Sequence, residues 1–346
     1  MIARVAMPAW SHWLKSGAIA IGGATLALSV LLLMVGRSPL ATLGAVFLNG
    51  FGSQLAWVET ITRAVPLLLC ALATAIPARA GLFNIGVEGQ FIAGAIGATA
   101  VVVLGSNLSV WLLLPAIIAA AMAGGALWGW LPGLLRGLLG VSEVLSGLML
   151  NYVAIFLMEH LIHGPWKDPQ ALGWPYSIAF PDAAVLPRFG QTNIHLGLVF
   201  GLALTLAAYV ALRSTTWGFS VRLTEANPRL ARRAGVRVGL LIALTMALGG
   251  AAAALAGLGE VSVIQGRLRP GLASGLGYAG FLVSFAVANR FEFLVPATLL
   301  VAGLYTGADA LQLTAGLPSA TVDIFMGVLF VATFIAQEAD KRRGNG

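Results

Sequence analysis

The sequence predicts an all-α polytopic membrane protein, a single domain over residues 1–346 with about ten transmembrane helices. Hydrophobic residues make up 59% of the chain and charged residues only 10%, whereas soluble domains carry roughly 25% charged residues. Mean hydropathy is +0.91. Apolar segments long enough to cross a bilayer as a helix recur along the chain, so these observations together exclude an ordinary soluble protein.

Ten apolar segments qualify as spans, because a bilayer core takes about 20 helical residues and fewer where a helix is broken inside protein. They cover approximately residues 17–36, 60–78, 91–105, 110–131, 144–163, 194–212, 238–258, 276–289, 294–312 and 320–337. Arg4 and Lys15 precede the first segment, which has no obvious cleavage site and is interpreted as a retained span with a cytoplasmic start. Residues 40–57, after it, predict a short helix or loop at the outer interface.

The distribution of basic residues predicts the orientation. With a cytoplasmic N-terminus, 14 of the 20 Lys and Arg residues lie inside, including the six arginines from Arg213 to Arg237 and the tail residues 341–343. The opposite orientation would place those six arginines outside, against the usual positive-inside bias. Both termini are therefore predicted to be cytoplasmic, and the net charge of +7 reflects topology rather than a nucleic-acid partner.

The segment from Arg79 to Gln90 breaks the apolar pattern before the third span. It contains three glycines and three polar side chains, Asn84, Glu88 and Gln90, at the start of the next apolar run. Polar groups at membrane depth are costly and are functional candidates. These three side chains are predicted to border a polar path across the membrane. The alternative is a joint that serves only helix packing.

A second segment, residues 269–280, matches the first. Arg269-Pro-Gly-Leu272 corresponds to Arg79-Ala-Gly-Leu82, and each quartet lies between a long span and a short glycine-rich one, five spans apart. This placement predicts an inverted repeat of two five-helix halves, in which matching interrupted segments indicate the transport path. Residues 275–280 also fit GxGxxG, but no strand precedes them, so these glycines are interpreted as sites of backbone bending or close helix contact rather than of dinucleotide binding.

A small-residue ridge marks the fourth span. Glycines recur there at four-residue spacing, at Gly125, Gly129, Gly133 and Gly137. Such a ridge lets a neighbouring helix approach closely, and it is interpreted as packing within one subunit. Pro132, near the end of this span, is expected to kink or end the helix.

Further polar residues lie within predicted spans. Asn151 is about two turns beyond a helix start at Ser142, where an amide either bonds a neighbouring helix or lines a polar path. Asp309, in the ninth span, is a candidate for lining a cavity. Asp323, early in the tenth, is interpreted as complementing a helix N-terminus.

Residues 164–193 form the only long polar segment on the predicted outer side. Their proline and aromatic content favours an ordered lid or docking surface. The alternative is a loop that merely closes the outer end.

The predicted inner loop, residues 213–237, contains a short helix with clear end signals. Asn227 is a preferred N-cap, Pro228 fits the first helical position and Gly235 fits the stop. The arginines displayed by this helix of about two turns are Arg229, Arg232 and Arg233. A capped helix is more than topology requires, which favours a docking role over simple contact with anionic headgroups.

Several catalytic patterns are absent from the sequence. No GxxxxGK[ST] phosphate loop occurs, so ATP is not bound by that route. Glu159, His160 and His163 lie near one helix end, but no HExxH pattern appears and no metal site is expected. No Ser/His/Asp arrangement stands out, which disfavours a membrane enzyme.

Four stretches resemble the permease subunits of ABC importers for nucleosides and simple sugars: residues 79–90, 140–152, 225–236 and 270–280. The resemblance runs through most of the chain after about residue 60. The first stretch and the chain length are closer to the nucleoside branch than to the ribose branch. Arg233 stands where family members often show an aromatic residue, a departure that concerns the docking surface.

This resemblance implies two permeases and two ATPases in the bacterial cytoplasmic (inner) membrane, fed by an extracytoplasmic binding protein. The second permease is expected to be a related but different chain. The helix from Pro228 to Ala234, preceded by Glu225, would insert into a cleft on the ATPase. ATP would bind those partner subunits, so no cofactor is expected in this chain. The contrasting hypothesis is an ion-coupled secondary transporter, with Glu88 and Asp309 as the candidate acids.

Overall fold

The computed structural model describes residues 36–105 and 109–315 continuously, together with isolated helical positions between residues 22 and 34 and between residues 324 and 335. Most of the predicted spans 17–36 and 320–337 lies outside the described residues. Asp323, the basic tail and both chain ends lie outside them too, so the cytoplasmic placement of the termini stays a prediction.

Every regular element in the described ranges is a helix, with two isolated β-bridges in the long polar loop. The helices are α1 Pro39–Phe51, α2 Gln54–Ala78, α3 Val87–Leu104, α4 Val110–Leu139, α5 Glu143–His163, α6 Gly197–Ser214, α7 Thr216–Ala226, α8 Pro228–Arg233, α9 Val238–Gly259, α10 Leu276–Ala286 and α11 Phe291–Ala315. A π-helical turn, Glu260–Ile264, extends α9, and a 3-10 turn, Asp182–Ala184, lies in the loop before α6.

Within the described residues, seven helices are long and apolar enough to cross a membrane: α2 to α6, α9 with its π-helical turn, and α11. The chain is therefore a multi-pass membrane protein. Eight of the ten predicted spans overlap α2 to α6 and α9 to α11, although α2 begins six residues before and α4 ends eight residues after the predicted bounds, and α10 has only 11 residues. Residues 40–57 hold the expected short helix, α1.

Two local features differ from the simplest sequence interpretation. Of the two effects expected of Pro132, a kink or a helix end, the second does not occur: the 30-residue helix α4 runs past it to Leu139, and Gly140, with a φ of +69°, caps it. A proline inside a membrane helix is tolerated because neighbouring helices satisfy the backbone groups that it frees. The loop 213–237 holds a second helix, α7, whose N-cap Thr215 accepts a hydrogen bond from the Gly218 amide at 3.1 Å.

The described chain forms two compact units, one of residues 61–302 and one of residues 1–60 with 303–346. In the second unit, α1 packs closely on the C-terminal half of α11. A Cβ added at Gly50 would collide with the Gly303 backbone, and one added at Gly307 would collide with Val46. The Thr60 hydroxyl donates to the Gly50 carbonyl at 2.7 Å and ties the start of α2 to α1.

In the larger unit, α4 packs on α9 through the predicted glycine ridge. Added Cβ atoms at all four ridge positions would collide with α9, at Gly250, Met246, Ala243 and Gly239 in turn. Close backbone approach is the main source of helix association in a bilayer, where apolar burial gives little driving force. The ridge therefore serves packing within the subunit, as predicted.

Candidate functional site

The N-terminal ends of α3 and α10 meet at Glu88. This residue lies in the first turn of α3 and is 4% exposed. Its carboxylate accepts hydrogen bonds from the Gly275 amide at 2.9 Å and from the Gly277 amide at 2.8 Å, both at the start of α10. A carboxylate at this position satisfies free helix amides and complements the helix dipole. The segments 79–90 and 269–280 are therefore bonded directly to each other.

The glycines of the GxGxxG pattern make this contact possible. Gly275 has a φ of +81°, a left-handed conformation that glycine adopts without strain. A Cβ added at Gly277 would lie 2.6 Å from the Cα of Glu88, and one added at Gly280 would collide with Cys70 of α2. The pattern thus serves backbone bending and close helix contact, as predicted.

Replacing Gly277 with Ala is expected to lower the melting temperature of the purified protein, because the added methyl group would push α10 away from Glu88. Overpacking of this kind costs about 1–3 kcal/mol. The control is Gly44→Ala in α1, where an added Cβ meets nothing within 4 Å and helix propensity improves. Thermal unfolding of both variants is measured by circular dichroism in detergent. Equal melting temperatures would contradict the close contact.

Asn84 and Gln90 form a reciprocal amide pair. The Asn84 amide donates to Gln90 Oε1 at 2.9 Å, and the Gln90 amide donates to Asn84 Oδ1 at 2.9 Å. The Asn84 amide also donates to the carbonyl of Ala73 at 2.9 Å. That carbonyl lacks its usual helical donor because Pro77, four residues later in α2, has no N–H. The pair is fully buried, and its Oδ1 and Oε1 atoms and both amide nitrogens bond within the protein.

Asn151 of α5 joins α3 to α10. Its Oδ1 accepts from the Gly89 amide at 2.8 Å, and its amide donates to the Ile85 carbonyl at 3.0 Å and to the Tyr278 hydroxyl at 3.1 Å. The side chain is fully buried. A buried amide costs free energy unless it is bonded in this way. Asn151 therefore bonds neighbouring helices, which was one of its two predicted roles.

Four of the five predicted path residues form one polar centre: Asn84, Glu88, Gln90 and Asn151. Asp309 lies half-buried in α11, within the other compact unit. Sequence analysis missed Tyr278, although a tyrosine inside a glycine-rich apolar helix places a polar hydroxyl in an otherwise apolar segment.

Sequence analysis also missed Glu260, an acid inside the long apolar span of α9. It lies in the π-helical turn, where the Gln265 amide donates to its Oε1 at 2.9 Å and to the Leu272 carbonyl at 3.1 Å. Arg269 in turn donates to the Gln265 side chain. Such turns often occur at functional sites. The acid at the end of a run of Ala, Leu and Gly was the available signal.

The α2–α3 connection, residues 79–86, contacts two other elements. Its Phe83 amide donates to the buried Glu143 carboxylate at 3.3 Å, and Glu143 pairs with Arg136 at 3.3 Å. Gly81 has a φ of +76°, and a Cβ there would lie 3.8 Å from the Cα of Glu225, near the end of α7. The connection is therefore bonded to the start of α5 and passes close to the segment that leads into α8.

The short helix α8 has the predicted ends. The Asn227 side chain accepts from the backbone amides of Arg229 and Leu230, each at 3.0 Å. At the other end, the Gly235 amide donates to the Arg232 carbonyl at 3.1 Å, with a φ of +84° at Gly235. This is the usual left-handed helix stop. The arginine side chains exposed on this helix are Arg229, Arg232 and Arg233.

The long loop, residues 164–193, is held against the α9–α10 connection, residues 265–275. Ser177 and Leu268 exchange two hydrogen bonds, from the Ser177 amide at 3.0 Å and to the Ser177 hydroxyl at 2.9 Å. The Phe180 amide donates to the Gly266 carbonyl at 2.9 Å. Arg188 donates to the Val263 carbonyl at 3.0 Å. These bonds give the loop the order that its composition predicted.

His195, between the long loop and α6, is buried and neutral. Burial first, and the positive charge of Arg188 second, lower the pKa of His195 to about 4. Its Nδ1 accepts from the Gly197 amide at 3.1 Å. Nδ1 of His163 lies 2.8 Å from the Glu159 carbonyl. Among the residues that the structure describes, no three His, Cys, Asp or Glu side chains are placed to hold a metal ion.

Comparison with known proteins places these features in context. The family model described as branched-chain amino acid transport system, permease component, matches residues 56–334. A glucose ABC transporter permease protein of Haloferax volcanii is 34% identical, over 95% of this chain and 90% of that protein. A guanosine ABC transporter permease protein of Bacillus subtilis is 32% identical, over 90% and 91%. A nucleoside ABC transporter permease protein of Lactococcus lactis is 28% identical, over 91% and 93%.

One solved structure, PsaBC from Streptococcus pneumoniae in complex with Fab, shares the fold. Its TM-score is 0.50 at 13% sequence identity, over 83% of this chain and 94% of that chain.

Proposed function

The chain belongs to the family of permease components of branched-chain amino acid transport systems, and on that premise we propose that it forms the path of an ABC importer for a nucleoside or simple sugar. The observation that carries the proposal is the polar centre at the N-terminal ends of the short helix α10 and of α3. Short or interrupted helices such as α10 border substrate sites in transporters.

Glu88 supports an uncharged substrate. A free helix N-terminus at membrane depth would suit the carboxylate of an amino acid. Here the start of α10 is already occupied by the carboxylate of Glu88, which bonds the Gly275 and Gly277 amides. A second anion beside it would be repelled. Nucleosides and sugars are uncharged, in keeping with the substrates named for the relatives.

In this proposal the polar centre lies beside the path and does not obstruct it. Asn84, Gln90 and Asn151 have their amide groups bonded inside the protein, so they hold α3, α5 and α10 in register beside the moving solute. Asp309, in α11, is proposed independently to line the path in its own part of the chain.

The partners proposed for the chain are two ATPase subunits, a related second permease and an extracytoplasmic binding protein. The capped helix α8 and the preceding Glu225 support the first of these, because a rigid exposed helix with three arginines suits docking to an acidic cleft. ATP binds the partner subunits in this scheme, and this chain carries no cofactor.

The proposed setting is the bacterial cytoplasmic membrane, with residues 213–237 inside and the long loop outside. An inverted repeat of two five-helix halves relates the segments 79–90 and 269–280. The backbone supports this relation: Gly81 and Gly271, the third residues of the matching quartets, both adopt left-handed conformations, with φ of +76° and +71°. Each quartet then leads into a helix shorter than the span before it, α3 or α10.

The test is uptake of radiolabelled guanosine, glucose and leucine by cells that express the permease together with the ATPase, second-permease and binding-protein subunits of its transporter. We expect uptake of guanosine or glucose, no uptake of leucine, and no loss of uptake when a protonophore is added at constant ATP. Uptake that collapses with the protonophore would instead identify an ion-coupled transporter. Leucine uptake alone would place the chain with the amino acid carriers.

A further inference from the structure

The short helix α10 is attached to the segment 79–90 at both of its ends. At its N-terminal end, two backbone amides bond Glu88. At its C-terminal end, Phe285 stacks on Phe83 with ring centroids 5.5 Å apart and planes 14° apart. The helix and the segment therefore form one braced unit.

The N-terminal end of α10 is also tied to the long loop. The α9–α10 connection, which runs directly into α10, shares the paired Ser177 and Leu268 bonds with that loop. It also accepts the Phe180 amide at Gly266. Asp168 of the loop adds an ion pair with Arg267 at 3.8 Å. A displacement of the long loop is therefore transmitted to the start of α10.

The other end of the route lies at α8. The α2–α3 connection carries Phe83, which stacks on Phe285 of α10, and Gly81, where an added Cβ would lie 3.8 Å from the Cα of Glu225. Glu225 lies two residues before Asn227, the N-cap of α8. A displacement of α10 at Phe83 therefore moves the connection that passes beside the residues leading into the capped helix.

We propose that α10 is a strut that transmits displacement between the long loop and α8, and that Glu88 is the positioning residue that attaches it. The inference rests on the proposed function for what docks at the two ends. Glu88 is the critical attachment because it makes two charge-assisted bonds in a buried place, where such bonds are strong. Because Gly277 has no side chain, its backbone amide can approach the Glu88 carboxylate closely.

A purely local role for Glu88 makes a different prediction. If the carboxylate only capped α10, its removal would fray the first turn of that helix and leave distant bonds intact. If α10 is a strut, removal of the cap loosens both ends of the route, because the Ser177 and Phe180 amides bond the connection that runs into α10, and the Phe83 ring stacks on Phe285 of α10. Amide hydrogen exchange separates the two cases.

The experiment compares amide exchange in the intact complex carrying Glu88→Ala with the wild type. We expect exchange about tenfold faster at residues 275–278, and also in the long loop near Ser177 and in the α2–α3 connection. Glu292→Ala is the matched control, since Glu292 occupies the first turn of α11 but is exposed. Faster exchange confined to residues 275–278, or none, would overturn the strut.

A second readout measures signalling across the membrane. ATP hydrolysis by the reconstituted complex is recorded with and without the binding protein, using guanosine and glucose as probes. The ratio of stimulated to basal hydrolysis is expected to fall at least fivefold in Glu88→Ala, to recover in part in Glu88→Asp, and to stay unchanged in Glu292→Ala. A wild-type ratio in Glu88→Ala would overturn the proposal. If the binding protein does not stimulate ATP hydrolysis in the wild-type complex, the proposed function is refuted. The amide-exchange result alone would then test whether α10 is a strut.

Discussion

Replacing Arg229 and Arg232 with Glu is expected to abolish uptake while the permease remains inserted in the membrane. Both side chains are exposed on α8, and neither caps the helix, since the cap is the Asn227 side chain. Charge reversal at two positions should weaken docking to an acidic cleft by about 2 kcal/mol or more, roughly thirtyfold in affinity. Copurification of the ATPase subunits and substrate uptake are the measurements.

The control reverses two arginines of the same loop that lie outside α8. Arg213 and Arg237 are both exposed and both within residues 213–237, so Arg213→Glu with Arg237→Glu changes the loop charge equally. If α8 merely helps set topology or binds anionic headgroups, the two double variants should behave alike. Normal uptake in the Arg229 and Arg232 variant would remove the coupling role of the helix.

The ends of α8 were predictable because its determinants are local. The Asn227 side chain accepts hydrogen bonds from backbone amides two and three residues away, and Gly235 adopts a left-handed φ, so both signals lie within one short stretch. The glycine ridge of α4 was predictable for a similar reason, since four small residues on one helix face require a close neighbour. The identity of that neighbour, α9, depends on the tertiary fold and was not.

The polar centre was predictable in membership but not in connectivity. Glu88 bonds the Gly275 amide, 187 residues away, and a backbone donor leaves no trace in side-chain composition. Glu260 was overlooked because it follows an apolar helix whose final π-helical turn has no distinct sequence pattern. Helix α7 was missed because its buried positions, including Val221 and Thr224, are interrupted by exposed polar residues.

Sequence alone left open whether Asn84 and Gln90 face a path or a neighbouring group. In the structure they face each other, and Asn84 also serves the carbonyl of Ala73 that Pro77 leaves without a donor. The pair therefore repairs a helix break as well as bringing polar atoms to the start of α3. This arrangement makes the two amides unequal, because Asn84 has an additional partner.

Replacing Asn84 with Leu is accordingly expected to destabilise the protein more than replacing Gln90 with Leu. Asn84→Leu leaves both the Gln90 amide and the Ala73 carbonyl unpaired, and each buried unpaired group costs about 1–3 kcal/mol. Gln90→Leu leaves Asn84 its bond to Ala73. The double variant removes both amides and should be no less stable than Asn84→Leu alone. If the losses of the single variants simply add, so that the double variant is the least stable of the three, the pairing does not account for their stability.

Uptake and melting temperature should separate in that double variant. If the pair only packs, uptake recovers together with stability once neither amide is left unpaired. If the pair also holds the start of α3 in position beside the path, uptake stays at least about tenfold below wild type, because two leucines cannot replace the reciprocal hydrogen bonds, each worth roughly 1 kcal/mol. The proposed function requires the second result. Uptake that rises with the melting temperature would assign Asn84 and Gln90 to helix repair alone, and would leave Glu88 and Asn151 as the side chains beside the path.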